Sequence, residues 1–254
     1  MKINIYDTKG KKKGSMNLPQ PFTTELRPDL VHRAVMSMQA NRRQPYGPAK
    51  RAGMRHAVDN PGKGRGIARV QRLTQYGNRA AESPNNVGGR RAHPPTPEKN
   101  LGKKMNKKEK SKARRSALAA TNVDSLVKKR GHRFEEGISL PLVVDKNIED
   151  IERTKDAIGI FKNLGIYSDV ERAVNGRNIR AGRGKMRNRR YKTPVGPLVV
   201  LPAGAKGAQA FSNILGVVVK TPETLTVEDL APGGNMGRLV VFSVKALNET
   251  KGWS

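Results

Sequence analysis

The sequence contains no cysteine, so disulfides, thiolate metal sites and a cysteine nucleophile are all excluded. Aromatic residues make up only 4% of it, too few for the stacking platforms on which sequence-specific single-strand binding depends. No run of eighteen apolar residues occurs, and the opening Met1-Lys2-Ile3-Asn4-Ile5-Tyr6-Asp7 lacks the apolar core of a signal peptide. No terminus reads as an apolar, basic amphipathic helix, so no membrane partner is expected and the cytoplasm is the default location. Acid is scarce too: 21 Asp and Glu stand against 50 Lys and Arg, a formal net charge of +29 over 254 residues. A surplus of that size repels itself in a compact free protein and is natural only beside a polyanion, of which RNA and DNA are the usual ones. With so few aromatics, contacts to phosphate and to shape are the expected mode.

The charge that is present lies in separable pieces. Residues 1–40 carry +4, 41–97 carry +10, 98–133 carry +10, 134–175 carry −4, 176–192 carry +8 and 193–254 carry +1. The expected organisation is a globular α/β domain from 1–40 and 98–254. Residues 41–97 are expected to form an extended Arg/Gly/Pro-rich loop, and 176–192 a basic arm within the globular domain. The 57 residues of 41–97 hold eight Gly and seven Pro and have almost no apolar periodicity. A segment that long and irregular is either functional or disordered, and here it is expected to order on RNA. Gly64-Arg65-Gly66 and Gly88-Gly89-Arg90-Arg91 set arginine beside flexible backbone, which lets the chain approach phosphates closely.

Periodicity supplies the elements. Ile3 and Ile5 alternate with Asn4 and Tyr6 as in a strand, with a basic turn from Thr8 to Gly14 and a return strand over 15–18. Leu30, Val31, Ala34, Val35 and Met38 recur at helical spacing after Pro28, predicting a helix that stops near Asn41. Asn106 and Glu109 fit a capping pattern for a helix over 107–120, basic in its first half and apolar in its second. A short helix is predicted from Asp124 to Gly131. Apolar runs at 140–144, 198–201, 217–219 and 239–242 read as buried strands. Between them lie a helix capped by Asn147 and ending at Gly165, a helix over 205–214, and a last short helix through Leu247. Continuous apolar strands alternating with helices imply a mainly parallel sheet covered on both faces.

Catalytic signatures fail on inspection. Ala181-Gly182-Arg183-Gly184-Lys185-Met186 hints at a phosphate loop, but Ile179 stands where its first Gly belongs and Met186 where its hydroxyl belongs. Gly62-Lys63-Gly64-Arg65-Gly66 follows no strand and opens no helix, so it is not a dinucleotide fingerprint. The four histidines, His32, His56, His93 and His132, are scattered without ligand spacing. No catalytic residue, metal or cofactor is therefore expected. The candidate RNA-binding side chains are the cations of the basic pieces. From the loop and its borders they are Arg42, Arg43, Arg51, Arg55, Lys63, Arg65, Arg69, Arg72, Arg79, Arg90, Arg91, Lys103 and Lys104. From the basic helix they are Lys107, Lys108, Arg114 and Arg115. From the arm they are Arg177, Arg180, Arg183, Lys185, Arg187, Arg189 and Arg190.

Several short motifs occur together and in order: Gln39-Ala40-Asn41-Arg42, Gly64-Arg65-Gly66, Ala92-His93-Pro94-Pro95, Arg115-Ser116-Ala117-Leu118-Ala119-Ala120-Thr121, Arg130-Gly131-His132, 181–187, and Glu228-Asp229-Leu230-Ala231-Pro232-Gly233-Gly234 followed by Gly237-Arg238-Leu239. With them, nearly the whole chain resembles the ribosomal protein L4 family in its archaeal and eukaryotic form. Lacking a long C-terminal extension, it looks archaeal. The resemblance implies a three-layer α/β/α domain in the large ribosomal subunit, bound to the large-subunit ribosomal RNA, contacting several RNA domains and supporting early subunit assembly. It also implies neighbouring large-subunit proteins as partners. The extended loop would form part of the polypeptide exit tunnel wall beside the nascent polypeptide, with Gly64, Arg65, Gly66, Arg69 and Arg72 nearest it in the tip 67–77 and just before. Two other classes stand behind this one: a nucleoid or chromatin packaging protein, which would bind duplex DNA and folded RNA alike, and an enzyme acting on RNA, which would need a carboxylate cluster or nucleotide pocket.

Overall fold

The apolar runs are too short for helices and too apolar to face water, so each must be buried on both sides. The computed structural model describes residues 1–75 and 77–253. In chain order its first half forms β1 (Lys2–Tyr6), β2 (Lys12–Asn17), α1 (Pro28–Asn41), β3 (Val58–Asp59), β4 (Arg72–Leu73), α2 (Lys107–Ala119) and α3 (Asp124–Arg130). There follow β5 (Leu142–Val144), α4 (Thr154–Asn163), α5 (Tyr167–Asn175), β6 (Asn178–Ile179), β7 (Tyr191–Lys192) and β8 (Leu198–Val200). The last part forms α6 (Gly207–Ser212), β9 (Val218–Lys220), α7 (Val227–Leu230), β10 (Val240–Ser243) and α8 (Val244–Glu249). By its contacts the chain divides into two units, one of 1–39 with 104–254 and one of 40–103.

In the first unit six strands make one sheet in the order β2-β1-β5-β10-β8-β9. Only the edge pair β1 and β2 is antiparallel; the other pairings are parallel. Alternate residues of the central strands enter two separate cores. Val143, Leu198, Val200, Val240 and Phe242 join Val31, Ala34 and Val35 of α1, Ala117 and Leu118 of α2, and Ala246 and Leu247 of α8. Leu142, Val144, Val199 and Val241 join Val127 of α3, Ile160 and Phe161 of α4, Val170 of α5 and Phe211 of α6. The fold is thus α/β with a mainly parallel sheet between two helical layers, as the continuous apolar runs require. Phe22 meets Phe242 edge-on at 5.8 Å between ring centroids in one core, and Phe161 tilts against Phe211 at 5.2 Å in the other.

Several local expectations change. β2 begins at Lys12 and not at Ser15. It is an exposed edge strand rich in polar residues, so hydropathy does not mark its start. Asn147 caps no helix: Asp145 caps a single tight turn over Lys146–Ile148, and the helix starts only at Thr154. Ile148 is buried from that turn and Ile151 packs from the loop after it, and together they imitate helical spacing. Two helices were not anticipated, α5 after Gly165 and α7. The latter is held by a capping box in which Thr226 Oγ1 accepts from Asp229 N–H at 3.3 Å and Asp229 Oδ2 accepts from Thr226 N–H at 3.0 Å.

In the second unit β3 and β4 form a short antiparallel pair, Val58 opposite Leu73 and Asp59 opposite Arg72. A further bridge joins Arg72 to Ala80, so 72–73 lies between two neighbours. Leu73 N–H donates to Arg79 O at 3.0 Å and Ala81 N–H to Gln71 O at 2.9 Å. The two ends of the unit are tied where the Asn41 side chain accepts from Lys103 N–H at 3.0 Å. Pro61 and Ala81 are buried, and most of the rest is exposed.

Phe242 touches the centre of one core and leaves a large void when truncated. Phe242→Ala is expected to cost about 3–5 kcal/mol of unfolding free energy, read as a lower urea midpoint. An unchanged midpoint would contradict this packing.

Candidate nucleic-acid interface

The basic helix α2 divides as its sequence does. The Asn106 side chain accepts from Lys108 N–H at 3.0 Å and starts the helix. Lys107, Lys108, Lys110 and Lys112 are exposed, whereas Ala113, Ala117 and Leu118 dock on the core. Arg114 and Arg115 fall at the division and are half-buried. The Arg114 guanidinium lies 3.2 Å over the Trp253 ring and donates from Nη2 to Pro222 O at 2.8 Å. Burial pushes its pKa down to about 10, so it stays cationic at neutral pH.

The arm over 176–192 is a hairpin, with Asn178 opposite Lys192 and Ile179 opposite Tyr191. Arg180 closes it: its N–H donates to Arg190 O at 2.7 Å and its Nε to Arg189 O at 3.2 Å. Arg177 stacks on Tyr191 with its guanidinium 4.0 Å from the ring centroid. Arg183, Lys185, Arg187 and Arg189 stand exposed around a tight turn over Arg183–Met186. Among the described residues none of the arm's cations has a carboxylate partner. Met186, 80% exposed, sits among them, with no hydroxyl for a nucleotide phosphate or metal.

In the second unit Arg51, Arg55, Lys63, Arg65, Arg69, Arg79, Arg90 and Arg91 are exposed. Arg42, Arg43, Lys103 and Lys104 are exposed near its ends. Gly62, Gly64 and Gly66 take left-handed φ of +70°, +81° and +66°, with open space where a Cβ would lie. The requirement there is conformational: alternate left-handed turns hold Lys63 and Arg65 on the outside of the loop. Arg72 differs from its neighbours. It is half-buried, donates from Nη2 to Ala68 O at 3.3 Å and from Nη1 to Asn78 O, and so staples the loop from within. Of the five residues assigned to the tunnel wall, Gly64, Arg65, Gly66 and Arg69 are exposed and Arg72 is engaged by its own chain. Tyr76, within the tip 67–77, lies outside the described residues.

A second group of cations escaped the sequence reading because its members are far apart in the chain. Arg130 ends α3, and its guanidinium donates to Pro232 O at 2.9 Å and to Asn235 O. Arg238 is fully buried, donating from Nε to Gly196 O at 3.1 Å and from Nη1 to Asp229 O at 2.7 Å. Burial pushes its pKa down to about 10. The turn that carries it needs glycine: a Cβ on Gly237, at φ +90°, would lie 2.7 Å from the Leu126 backbone. Asp169, fully buried, accepts from His132 Nδ1 and Arg172 Nε, each at 2.9 Å, and from Arg133 N–H at 3.0 Å. Burial alone would raise the Asp169 pKa, but these donors outweigh it and hold it below the usual carboxylate range. Burial also drives the His132 pKa down, aided by Arg172 and Arg130, against the opposing pull of Asp169. The pair is a neutral imidazole donating to a carboxylate. The signal for this group was the chemistry of Arg130-Gly131-His132 and Gly237-Arg238, where charge interrupts otherwise apolar packing.

A hairpin whose exposed cations have no carboxylate partner among the described residues, carried by an α/β unit, defines a basic scaffold protein. The chain matches the model of the Ribosomal protein L4/L1 family over residues 16–253. It is 47% identical over 251 residues to the large ribosomal subunit protein uL4 of Methanocaldococcus jannaschii, covering 99% of this chain and 98% of that one. It is 44% identical to the proteins of the same name from Thermoplasma acidophilum, over 98% of this chain and 97% of the relative, and Archaeoglobus fulgidus, over 100% and 99%. The chain belongs to the ribosomal protein L4/L1 family, in its archaeal type, a family of structural and not enzymatic proteins.

The His132–Asp169 pair sets the direction of acid sensitivity. With its folded pKa lowered, His132 takes up a proton less readily folded than unfolded, so stability falls as pH drops through the unfolded value near ~6.5. Asp169, also lowered, adds a second loss only as pH falls into the carboxylate range. Replacing His132 with Gln is expected to flatten the stability profile between about pH 7 and 5.5 in urea titrations while leaving the loss at lower pH. An unaltered profile would contradict the neutral assignment.

Proposed function

We propose that this protein is a structural constituent of the large ribosomal subunit that binds the large-subunit ribosomal RNA. On this reading, the α/β unit is the anchor. The cations of α2 and of the 176–192 hairpin meet RNA backbone, and residues 41–97 extend into the RNA. Holding several RNA segments at once, they offset phosphate repulsion and support early subunit assembly. Around Gly64, Arg65, Gly66 and Arg69 the loop forms part of the exit tunnel wall, beside the nascent polypeptide. Neighbouring large-subunit proteins are the remaining partners, and the location is the cytoplasmic ribosome. The observation that carries this is the 176–192 hairpin, eight cations with no acid among them, in a chain whose relatives are named as large-subunit proteins. No helix of the described residues is long and apolar enough to cross a membrane.

Sucrose-gradient fractionation of native extract, at low and high salt, tests the reading. The protein is expected to travel with the large subunit and to survive a high-salt wash. Sedimentation with DNA, or at the top of the gradient, would oppose it. Within the loop, Arg65→Ala with Arg69→Ala should leave the protein folded and incorporated but alter tunnel-dependent stalling. Arg72→Ala should instead loosen the hairpin of 57–81, read as faster amide exchange there in the free protein. Equal behaviour of the two variants would sink the separation of roles.

A further inference from the structure

The first unit contains a cavity of about 550 Å³ whose walls include Lys129, Arg130, His132, Arg172, Gly234 and Asn235. No carboxylate lines it. Arg238, packed behind, adds a third guanidinium close enough that Arg130 depresses its pKa, as Arg172 depresses that of Arg130. Three guanidiniums and an exposed lysine thus converge from α3, α5 and the segment before β10.

Their compensation is incomplete. Asp169 is the buried carboxylate of the group, and its oxygens are already taken by His132, Arg172 and Arg133 N–H. Asp229 acts on Arg238 from a distance but is engaged in the capping box of α7. Arg130 is held by neutral backbone carbonyls, and so are Nε and Nη1 of Arg238 and Nη2 of Arg172. Arg238 Nη2, a buried donor, has no hydrogen-bond partner among the described residues; His132 Nε2 has none either, but in the neutral ring it bears the lone pair and is an acceptor. His132 is 5% exposed and forms part of the cavity wall. Gathering like charge in a partly buried place is costly unless an opposite charge completes it. Cations in the last turn of α3 suit the negative end of that helix, which accounts for Lys129 and part of Arg130. It does not account for Arg172 or Arg238, which arrive from other elements.

We propose that this cavity is an oxyanion site for one phosphate-class group, held by Arg172, Arg130 and Lys129. Arg130, fixed in place by carbonyl acceptors, keeps its full charge, and Arg172 is held by Asp169 at Nε and by a carbonyl at Nη2; both lose little freedom on binding, and their planar fork suits phosphate oxygens. The group comes either from an RNA backbone phosphodiester or from free phosphate.

The test uses the full-length protein, labelled with nitrogen-15, at constant ionic strength. The amides of Gly234 and Asn235 and the His132 imidazole are followed by NMR while inorganic phosphate, or the diester adenylyl-(3′→5′)-adenosine, replaces chloride. Saturable shifts at these residues are expected, with a midpoint raised roughly ten-fold by Lys129→Gln or by Arg172→Gln. Saturation by inorganic phosphate alone assigns the source to free phosphate, and saturation by the diester assigns it to RNA backbone; either supports the site. Shifts that never saturate, or a midpoint unmoved in Lys129→Gln, would overturn it. Lys129 is exposed, so that variant keeps the test valid even if Arg172→Gln, which deprives Asp169 of a donor, fails to fold.

Discussion

A guanidinium donating to a backbone carbonyl is the interaction on which this structure most depends. Arg72, Arg114, Arg130, Arg172, Arg180 and Arg238 each make it. Arg172 is the one of these six that is also paired with a carboxylate. A carboxylate would hold an arginine as firmly but would cancel its charge. A carbonyl fixes its position and leaves the charge to act on something else. In a chain of net charge +29, that orders cations without neutralising them. The ion pairs that do occur are mostly exposed, such as Lys206–Glu152 at 3.1 Å and Lys50–Glu98 at 2.6 Å, and pairs of that kind contribute little to stability.

The sheet makes this arrangement possible. Because β5, β8 and β10 are largely apolar on both faces, the two apolar cores hold no charge, and most cations lie at helix ends, in the hairpin and in the 40–103 unit, with Arg238 the buried exception. The acids are segregated in turn: 134–175, which contains α4 and α5, carries −4, while the hairpin that follows carries eight cations and no acid. Segregation of this kind keeps carboxylates away from the hairpin's arginines.

Much of the fold was legible because burial leaves a period. The runs at 140–144, 198–201 and 239–242 announce a doubly covered sheet, and Pro28, Asn106 and Gly131 mark helix ends where the structure has them. Where burial is achieved without regular structure, the period misled, as at Ile148 and Ile151. Exposed β2 leaves too little period to place its start. The resemblance rested on residues whose reasons appear only in three dimensions. Gly237 is pressed against Leu126, and Arg238 spans carbonyls at 196 and 229. For the candidate interface, composition located the basic pieces but could not separate arginines facing outward, such as Arg65 and Arg187, from those turned onto their own backbone, such as Arg72 and Arg180. That distinction depends on which carbonyls lie within reach. The cluster of Arg130, Arg172 and Arg238 was invisible for the same reason, since 108 positions separate its first member from its last.

The claim that these cations are held uncompensated in order to meet phosphate is tested most directly by the salt dependence of binding. Affinity of the full-length protein for a large-subunit ribosomal RNA transcript would be measured across salt concentration. If about ten phosphates are neutralised, the logarithm of the binding constant falls against the logarithm of salt with a slope of roughly −7 to −9. A slope near about −2 would mean that most of the exposed cations remain in water, and would contradict the claim.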